Sequence, residues 1–343
     1  KYESYDTEEK KKSKVRRFFE KLGEIITIGD YCSDYFFYGL DRKSVNKKDY
    51  VYSYWEFMKK RDYLNLHDNH NSSCLLRNKF YFEQYVKSMR GIIKTPKNIG
   101  LYRNDRLLLL QDNKFISLRD FLHAPELYTT GNIDYFVKKI DGECGVGVFH
   151  LHKDNGNYIM NEAEVSIDDI ENLMKNSSFI IQQRFVQHEL LSKIYPHSVN
   201  TIRMVTVKGM DGKPHIFSAV LRIGAMGKEV DNYSQGGVIV EIDLKTGELY
   251  KYGFRKQKFG GRELEHPDTH YKYEGTIIPF FDEAKKAALY FHSMLFDLHS
   301  IGWDIAITDN GPVFIEGNDN WEIPLHQMNH GMRKQFDKYF QLK

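Results

Sequence analysis

Apolar and polar residues alternate along residues 302–318, which predicts a β-hairpin near the end of the chain. The alternating runs flank Asp309-Asn310-Gly311-Pro312, a sequence typical of a hairpin turn. If the loop comprises residues 309–311, Glu316 faces Asp304 across the strand pair, with Cβ atoms roughly 5 Å apart. A one-residue change of register would separate the two carboxylates.

The rest of the pattern predicts helices at first and antiparallel strands later. Helical spacing covers residues 8–22, 53–63, 80–89, 167–175 and 282–299. Alternating runs predict strands at 106–110, 115–117, 135–140, 148–152, 157–161, 179–183, 202–208, 215–223, 237–243 and 248–252. Ser166 and Asp169 form a capping box that marks the start of the fourth helix. A small α+β module followed by an antiparallel sheet excludes a doubly wound parallel fold.

Length and composition indicate a folded protein of two domains, or of one large domain with lobes. The chain has 343 residues, of which 41% are hydrophobic and 14% aromatic, enough for a sizeable core. Its net charge is only +2, so the chain lacks the strongly positive electrostatic potential that is typical of nucleic-acid-binding proteins. The basic residues at 10–17 have two interpretations, a solvated helix face, which we favour, and a contact with an anionic membrane.

Targeting signals and cysteines favour a cytoplasmic protein. No apolar run approaches the roughly 20 residues that span a bilayer, and the charged residues 1–17 do not resemble a signal peptide. The three cysteines, Cys32, Cys74 and Cys144, lack metal-ligand spacing and are typical of a reducing compartment. We therefore expect no membrane span, no nucleic-acid partner and a cytoplasmic location; an oligomer is compatible with the sequence.

Lysines precede a glycine-rich loop at residues 138–147, Lys138-Lys139-Ile140-Asp141-Gly142-Glu143-Cys144-Gly145-Val146-Gly147. Glycines allow the backbone to approach phosphates closely, and a nearby ammonium group offsets the phosphate charge. The segment is not a Walker loop, because the lysines precede the glycines. An ordinary glycine-rich hairpin turn explains it equally well on its own. Strand alternation leaves Lys138 and Lys139 both open, and counting back from Gly142 favours Lys138.

The acids of the last hairpin predict a metal site. Two carboxylates about 5 Å apart repel each other unless a cation lies between them. Mg²⁺ is commonly held by one or two carboxylates together with substrate phosphates. Asp304, Glu316 and Asn318 are therefore the candidate ligands, and two solvated acids on an exposed hairpin are the alternative.

Taken together, these motifs resemble the ATP-grasp superfamily. The lysine and glycine loop come first, then a strand ending Ile180-Ile181-Gln182-Gln183-Arg184-Phe185-Val186, then Asp304, Glu316 and Asn318. Four further motifs are similar to the sugar-transfer-associated ATP-grasp group: His197-Ser198-Val199-Asn200-Thr201-Ile202-Arg203, Asp231-Asn232-Tyr233-Ser234-Gln235-Gly236-Gly237, His266-Pro267-Asp268-Thr269 and Gly302-Trp303-Asp304-Ile305-Ala306.

The resemblance covers about residues 78–330 and implies an α+β ATP-grasp fold, in which two α+β subdomains clamp ATP. We expect a mostly helical, Tyr-rich region at 1–77 and a preceding segment at 78–132. A lid subdomain with the glycine-rich flap would occupy 133–185, and a catalytic subdomain with the antiparallel sheet and metal site would occupy 186–343.

The resemblance also implies ATP and Mg²⁺ as cofactors and assigns nucleotide-binding residues. Those expected around ATP are Lys138, Lys139, Gly142, Gly145, Gly147, Gln182, Gln183, Phe185 and Glu189. The lysine and glycines would hold the phosphates, the strand would bind adenine, and Glu189 would contact the ribose. The strand departs from the family pattern, because Gln182 and Gln183 replace the usual carboxylates; their amide and backbone groups can still pair with an adenine edge.

Catalytic and substrate residues follow by the same resemblance. Arg203 and, with it, Arg222 would steady the γ-phosphate or an acyl-phosphate, a task that suits a planar guanidinium fork; an ion pair with a strand acid is the alternative. The substrate-binding candidates are Asn232, Gly236, Gly237, His266, Asp268 and Thr269. A β-bulge at the glycine pair and a plain turn at His266 are the competing interpretations.

The favoured hypothesis is an ATP-dependent carboxylate–amine ligase that forms an amide through an acyl-phosphate. Its partners would be a small-molecule carboxylate and an amine. By family analogy the carboxylate belongs to a sugar acid or amino acid used in cell-surface polysaccharide synthesis. Two alternatives stay open: an ATP-grasp phosphotransferase, and a nucleotide-binding scaffold without turnover.

Overall fold

The computed structural model describes residues 9–28, 34–66, 72–89, 91–129, 133–140 and 147–342. They form two compact units. Unit 1 comprises Lys1–Ser73, His188–Pro312 and Gly317–Lys343, and unit 2 comprises Cys74–Gln187 and Val313–Glu316. In the described part of the chain, every helix is too short or too polar to traverse a bilayer. Cys74 is an exposed free thiol, whereas Cys32 and Cys144 lie outside the described residues.

The elements of the described residues have the following bounds. The α-helices are α1 (Lys14–Ile28), α2 (Tyr54–Leu66), α3 (Ser73–Arg77), α4 (Lys79–Ser88), α5 (Leu118–His123), α6 (Ile167–Met174), α7 (Glu189–Ile194), α8 (Phe281–Met294) and α9 (Arg333–Tyr339). The strands are β1 (Asn98–Arg103), β2 (Arg106–Leu109), β3 (Lys114–Ser117), β4 (Asp134–Lys139), β5 (Val148–Asp154), β6 (Asn157–Met160), β7 (Ala163–Val165), β8 (Phe179–Gln183), β9 (Thr201–Lys208), β10 (Pro214–Ile223), β11 (Val238–Ile242), β12 (Leu249–Phe254), β13 (Arg262–Glu263), β14 (Ser300–Thr308) and β15 (Gly311–Asn318).

Each predicted element overlaps an observed one, and three helices differ clearly at their ends. The sequence pattern did not predict α3, α5, α7, α9, β1, β7 or β13. Helix α1 begins at Lys14, not residue 8, because the Ser13 hydroxyl accepts a hydrogen bond from the Arg16 N–H and caps it. Helix α2 continues beyond the predicted residue 63, and its Asn65 amide donates to two backbone carbonyls of unit 1. Helix α8 ends at Met294 rather than 299, because the chain turns at Leu295 to enter β14.

Unit 2 is built on an antiparallel sheet with the order β3-β2-β1-β8-β4-β5-β6-β7. One face of this sheet packs against α5 and α6. Tyr135 and Val137 of β4 point into that core, and Ile181 of β8 lies beside them. Because successive residues of a strand point to opposite faces, the residues between them belong to the other face.

Unit 1 contains most of a second sheet with the order β13-β12-β11-β10-β9-β14-β15; residues Val313–Glu316 of β15 are assigned to unit 2. All nine residues of β14 are buried, as expected for a central strand covered on both faces. The N-terminal helix α2 belongs to this unit. Its Phe57 ring packs edge-to-face on the Trp321 ring, with the two ring centroids 4.9 Å apart. Helix α2 therefore completes the core of unit 1.

Two histidines of unit 1, the buried His292 and the half-buried His299, are neutral rings. The His292 Nε2–H donates to the Leu298 carbonyl at 3.0 Å, and the Nδ1 of the neutral ring accepts from the Thr206 hydroxyl at 2.8 Å. Burial lowers the pKa of His292 to about 3. Burial also lowers the pKa of His299, to about 4. Both imidazoles are uncharged in the folded protein at neutral pH.

We therefore expect unit 1 to lose stability as the pH falls below about 6.5, the usual pKa of an unfolded histidine. A group whose folded pKa is depressed contributes fully above its unfolded pKa, and this contribution declines as acid protonates the unfolded chain. Between about pH 6 and 5, His299 should account for about 1.4 kcal/mol of unfolding free energy per pH unit. Urea titrations across this range should show a smaller pH slope for His299→Gln. The exposed His270→Gln is the control, and equal slopes for both variants would contradict the assignment.

Candidate functional site

The face of the unit 2 sheet that lies opposite its core is polar and aromatic. Lys138 and Phe136 alternate with the core residues of β4, and the Lys138 Nζ lies 5.7 Å from the centroid of the Phe136 ring. Phe136 pairs with Gln182 of β8, and Lys138 pairs with Ile180. This surface, which we call the lysine face, brings Lys138 and Gln182 to one side of the sheet.

Lys139 lies on the opposite side of the same strand. It pairs with the core residue Phe179, and a Cβ placed on Gly147 would meet the Lys139 side chain at 2.8 Å. Gly147 has a φ of +72°, a conformation that favours glycine. Of the other predicted flap glycines, Gly142 and Gly145 lie outside the described residues.

Gln182 is buried at the centre of the lysine face. Its Nε2 donates to Asn98 Oδ1 at 2.6 Å, and Asn98 in turn donates to Glu83. The Gln182 Oε1 is buried and has no hydrogen-bond partner among the described residues. A buried acceptor without a donor is unfavourable by about 1–3 kcal/mol, so this oxygen is suited to an N–H from a bound ligand.

An ionic cluster borders Gln183 on the same sheet. Gln183 Nε2 donates to the Asp134 carbonyl at 3.1 Å, and the Asp134 carboxylate contacts His150 at 2.6 Å and Arg184 at 3.3 Å. Burial alone would raise the pKa of Asp134, but His150 and Arg184 hold it below its usual value. Asp134 is therefore ionised. The predicted nucleotide-binding residue Phe185, two residues after Gln183, is half-buried.

Unit 1 contains a network of two arginines and two aspartates, which we call the arginine network. Arg203 on β9 lies directly opposite Asp304 on β14 and binds its carboxylate with both arms of the guanidinium fork, Nη2 at 2.9 Å from Oδ2 and Nε at Oδ1. Arg222 on β10 donates to Asp304 Oδ2 and to Asp231 Oδ1, each at 3.0 Å. The buried Asp304 carboxylate thus binds two permanently charged guanidinium groups. Arg203 forms a bidentate pair with it, and Arg222 forms a single hydrogen bond.

Asp231 and Thr201 belong to this network and were not predicted as site residues. The Thr201 hydroxyl donates to Asp231 Oδ2. Burial raises the pKa of Asp231, and the neighbouring Arg222 opposes that shift. Thr201 is two residues before Arg203 on the same strand face, so period-two alternation could have revealed it. Asp231 stands in one of the recognised motifs but was not assigned a role there.

A buried histidine near the network also escaped sequence reasoning. His326 Nδ1 contacts Ser218 Oγ at 2.9 Å, and its Nε2 is buried with no hydrogen-bond partner among the described residues. Burial and the positive charge of Arg203 lower the pKa of His326 to about 3, so the ring is neutral. A single histidine in an irregular segment gives no sequence signal.

The predicted substrate residues organise two loops of unit 1. The Asn232 side chain accepts from the Ser234 N–H at 3.0 Å, which starts a short 3-10 turn that ends at Gly236 with φ +106°. A Cβ on Gly237 would meet two backbone oxygens at 2.9 Å, so close backbone packing requires this glycine. Their role in substrate binding stays a prediction.

His266, Asp268 and Thr269 form hydrogen bonds within the protein. His266 Nε2 donates to the Gly224 carbonyl at 2.8 Å, and Asp268 accepts from the Met226 N–H at 2.5 Å. Thr269 Oγ1 donates to the Ile194 carbonyl at 2.7 Å. These contacts fix the loop against its neighbours, and its predicted contact with substrate stays a prediction.

Glu189 and the hairpin turn complete the predicted positions. Glu189 is the first residue of α7; it is exposed and pairs with Lys193 at 2.6 Å.

The predicted metal ligands occupy β14 and β15. In the turn between these strands Gly311 has a φ of +97°, and neither Asp309 nor Asn310 has a positive φ. This combination is typical of a three-residue loop, a type I turn followed by a left-handed glycine. Among the described residues no group of three or more His, Cys, Asp or Glu could hold a metal; the predicted set has two acids and one amide.

Comparison with known proteins gives one family match and several distant structural similarities. The sequence matches the model of the family described as sugar-transfer associated ATP-grasp over residues 58–338. No curated protein matches. The solved structures that are similar include an ADP complex of N5-carboxyaminoimidazole ribonucleotide synthetase, with 10% identity and a TM-score of 0.44 over 78% of this chain and 52% of that one.

Two D-alanine–D-alanine ligases are similar to a comparable degree. The Bacillus anthracis enzyme has 13% identity and a TM-score of 0.39, covering 78% of this chain and 62% of that one. The Helicobacter pylori enzyme has 12% identity and a TM-score of 0.37, covering 73% and 53%. The chain spans about half the length of the first solved structures it matches.

The mixed α+β architecture with two antiparallel sheets and N-terminal helices is an ATP-grasp fold, which confirms the predicted fold class. Because the family model covers most of the sequence, the chain belongs to the sugar-transfer-associated ATP-grasp family. The recognised resemblance is confirmed.

Proposed function

We propose that the protein is an ATP-dependent carboxylate–amine ligase that forms an amide through an acyl-phosphate. The observation that carries the proposal is the arginine network, in which Arg203 and Arg222 are held at the single carboxylate of Asp304. Two fixed guanidinium groups beside one another suit the negative charge that develops during phosphoryl and acyl transfer.

The lysine face would bind the nucleotide. Lys138 is the phosphate-binding candidate, since it shares this face with Gln182, whereas Lys139 points to the core side. The unpartnered Gln182 Oε1 would accept the exocyclic N–H of adenine, and the main chain beside it would supply the complementary donor. ADP-bound structural relatives are consistent with ATP as the cosubstrate.

The hairpin acids suit a hard divalent cation. With a loop of residues 309–311, the register expected from the sequence, Asp304 would face Glu316, and Asn318 lies two residues further along β15. Three N–H groups bind Asp304, and a carboxylate offers about four acceptor sites. Carboxylate and amide oxygens are the ligands that Mg²⁺ prefers. When bound, Mg²⁺ would neutralise the charge of the β- and γ-phosphates.

The chemistry needs positioning and charge rather than a protein nucleophile. A substrate carboxylate oxygen would attack the γ-phosphorus, and the bond from that phosphorus to the β–γ bridging oxygen would break, releasing ADP. An amine nitrogen would then attack the acyl carbon, and inorganic phosphate would leave with the amine proton. Within unit 1, Arg203 and Arg222 would steady the phosphoryl oxygens during this transfer, and within unit 2 Lys138 would bind nucleotide phosphate.

The substrate would be a sugar acid or an amino acid that enters cell-surface polysaccharide synthesis. This proposal rests on the family to which the chain belongs, and the carboxylate and amine would be small molecules, sugar-linked in that setting. The reaction would take place in the cytoplasm, where ATP is available. The substrate loops at Asn232, Gly236, Gly237, His266, Asp268 and Thr269 would select them.

The first test measures ADP release by the purified protein with ATP and Mg²⁺. We expect release only when a carboxylate and an amine are both present, across a panel of uronic acids and amino acids. Hydroxylamine should replace the amine and yield a hydroxamate, because it traps an acyl-phosphate. ADP formed without any carboxylate, with phosphate appearing on an alcohol, would establish a phosphotransferase instead. ATP binding without turnover on the whole panel would favour the scaffold.

A further inference from the structure

Helix α1 presents an apolar surface to solvent. Six residues of Lys14–Ile28 are between 37% and 75% exposed, and we call them the apolar stripe: Val15, Phe18, Phe19, Leu22, Ile25 and Ile26. Their spacing of three and four residues places them along one side of the helix. In an ordinary surface helix such a stripe faces the core, whereas here it faces outward.

The opposite side of α1 faces the protein. Glu24 is 1% exposed and pairs with Lys47. Glu20 accepts a hydrogen bond from the Tyr35 hydroxyl at 2.8 Å and pairs with Lys12 at 3.1 Å. Both acids of the helix are therefore turned inward and neutralised, and they anchor the helix with its apolar stripe outward.

The residues that flank the stripe are basic. Between Lys10 and Ile28 the sequence has seven lysines and arginines against two glutamates, while the whole chain has a net charge of only +2. Lys10 and Lys14 are exposed, and the exposed Arg16 pairs with Glu20 at 3.1 Å. Glu20 pairs with Lys12 and Arg16, and Glu24 pairs with Lys47, so neither glutamate offsets Lys10 and Lys14 beside the apolar side chains.

We propose that α1 is a membrane-surface helix that inserts its apolar stripe into an anionic bilayer. A helix with an aromatic and aliphatic side flanked by lysine and arginine lies in the plane of the bilayer interface, and attraction to anionic lipids adds to burial of the apolar area. A second copy of the chain is the poorer occupant, since pairing two stripes would bring like charges together. This surface is independent of the proposed ligase site.

The boundaries of α1 are what reveal the stripe. The pattern predicted a helix over 8–22, in which the lysines dominate and a solvated face is favoured. The observed helix begins at Lys14 and includes Ile25 and Ile26, which extend the stripe over the whole length of the element. The sequence pattern offered only the basic residues as a reason for membrane contact. The structure adds an exposed apolar surface on the same helix.

The test is sedimentation of the full chain with vesicles. Wild-type protein should bind vesicles that contain phosphatidylglycerol at least tenfold more tightly than vesicles of phosphatidylcholine alone, and salt should weaken that binding. The double substitution Phe18→Ser with Phe19→Ser should reduce binding at least tenfold. Phe115→Ser is the matched control, because Phe115 on β3 is 62% exposed, as are Phe18 and Phe19.

A second variant and a second readout separate the outcomes. Lys10→Glu with Lys14→Glu should abolish the preference for anionic vesicles. All of these variants should keep the wild-type thermal unfolding temperature and ADP release, since the changed side chains are exposed. Equal vesicle binding by wild type and the double phenylalanine variant would overturn the proposal. Self-association that depends on Phe18 and Phe19, without vesicle binding, would assign the stripe to a second copy instead.

Discussion

Replacing Asp304 by asparagine should abolish ATP-dependent turnover and lower the stability of unit 1. The carboxylate holds Arg203 through both arms of its fork and Arg222 through one, and it is a proposed metal ligand. The amide keeps the shape but removes the charge that keeps two arginines in place. Loss of one such electrostatic group reduces kcat roughly 100- to 1,000-fold, and loss of a buried counter-charge costs about 3–5 kcal/mol.

Measuring turnover and thermal unfolding on the same samples separates the two roles of Asp304. Glu316→Gln should reduce turnover as strongly, because it removes the second proposed metal ligand. Asp309→Asn is the matched control: it lies in the turn of the same hairpin, and its side chain is 75% exposed. Both activity and unfolding temperature should be unchanged in that variant. If Asp304→Asn or Glu316→Gln retains more than a tenth of wild-type turnover, the metal assignment is wrong.

The hairpin of β14 and β15 was predictable from local sequence patterns. Alternation and the Asp-Asn-Gly-Pro turn predicted two strands, and β14 and β15 lie where they were expected. Gly311 in the turn has a positive φ, which the sequence suggests because glycine adopts it without strain. Local information was therefore sufficient for the elements that carry the proposed metal ligands.

The arginine network depends on contacts that no local pattern encodes. Arg203 faces Asp304 only because β9 and β14 are neighbours in register, and Arg222 reaches the same carboxylate from β10. The residues concerned are separated by about a hundred positions in the sequence. The sequence left an ion pair with an unnamed strand acid as the alternative for Arg203, and the partner proved to be the predicted metal ligand itself.

The N-terminal region was the least predictable part. Its helices were expected, but neither their capping at Ser13 nor the insertion of Phe57 against Trp321 follows from periodicity. Tertiary contacts decide both. The outward stripe of α1 belongs to the same class of finding, because only the inward pairing of Glu20 and Glu24 shows which side is exposed.

The choice between the two adjacent lysines gives the second large prediction. Lys138→Met should raise KM for ATP and lower turnover, because Lys138 lies on the lysine face with Gln182. A hydrogen bond to a charged group contributes about 1.5–3 kcal/mol, so we expect a loss of roughly 10- to 150-fold in kcat/KM for ATP. Steady-state ADP release at varied ATP concentration measures the effect, with nucleotide binding followed separately by calorimetry.

Lys139→Met is the control that the chain itself provides, since the substitution, the strand and the local charge change are the same. Lys139 lies on the core side of β4 beside Gly147, and its aliphatic carbons can be replaced by methionine with little loss of packing. We expect less than a threefold change, because an ammonium group on the other face of the sheet cannot reach the same phosphate. A larger effect for Lys139→Met than for Lys138→Met would place the nucleotide on the opposite face and remove the role of Gln182 with it.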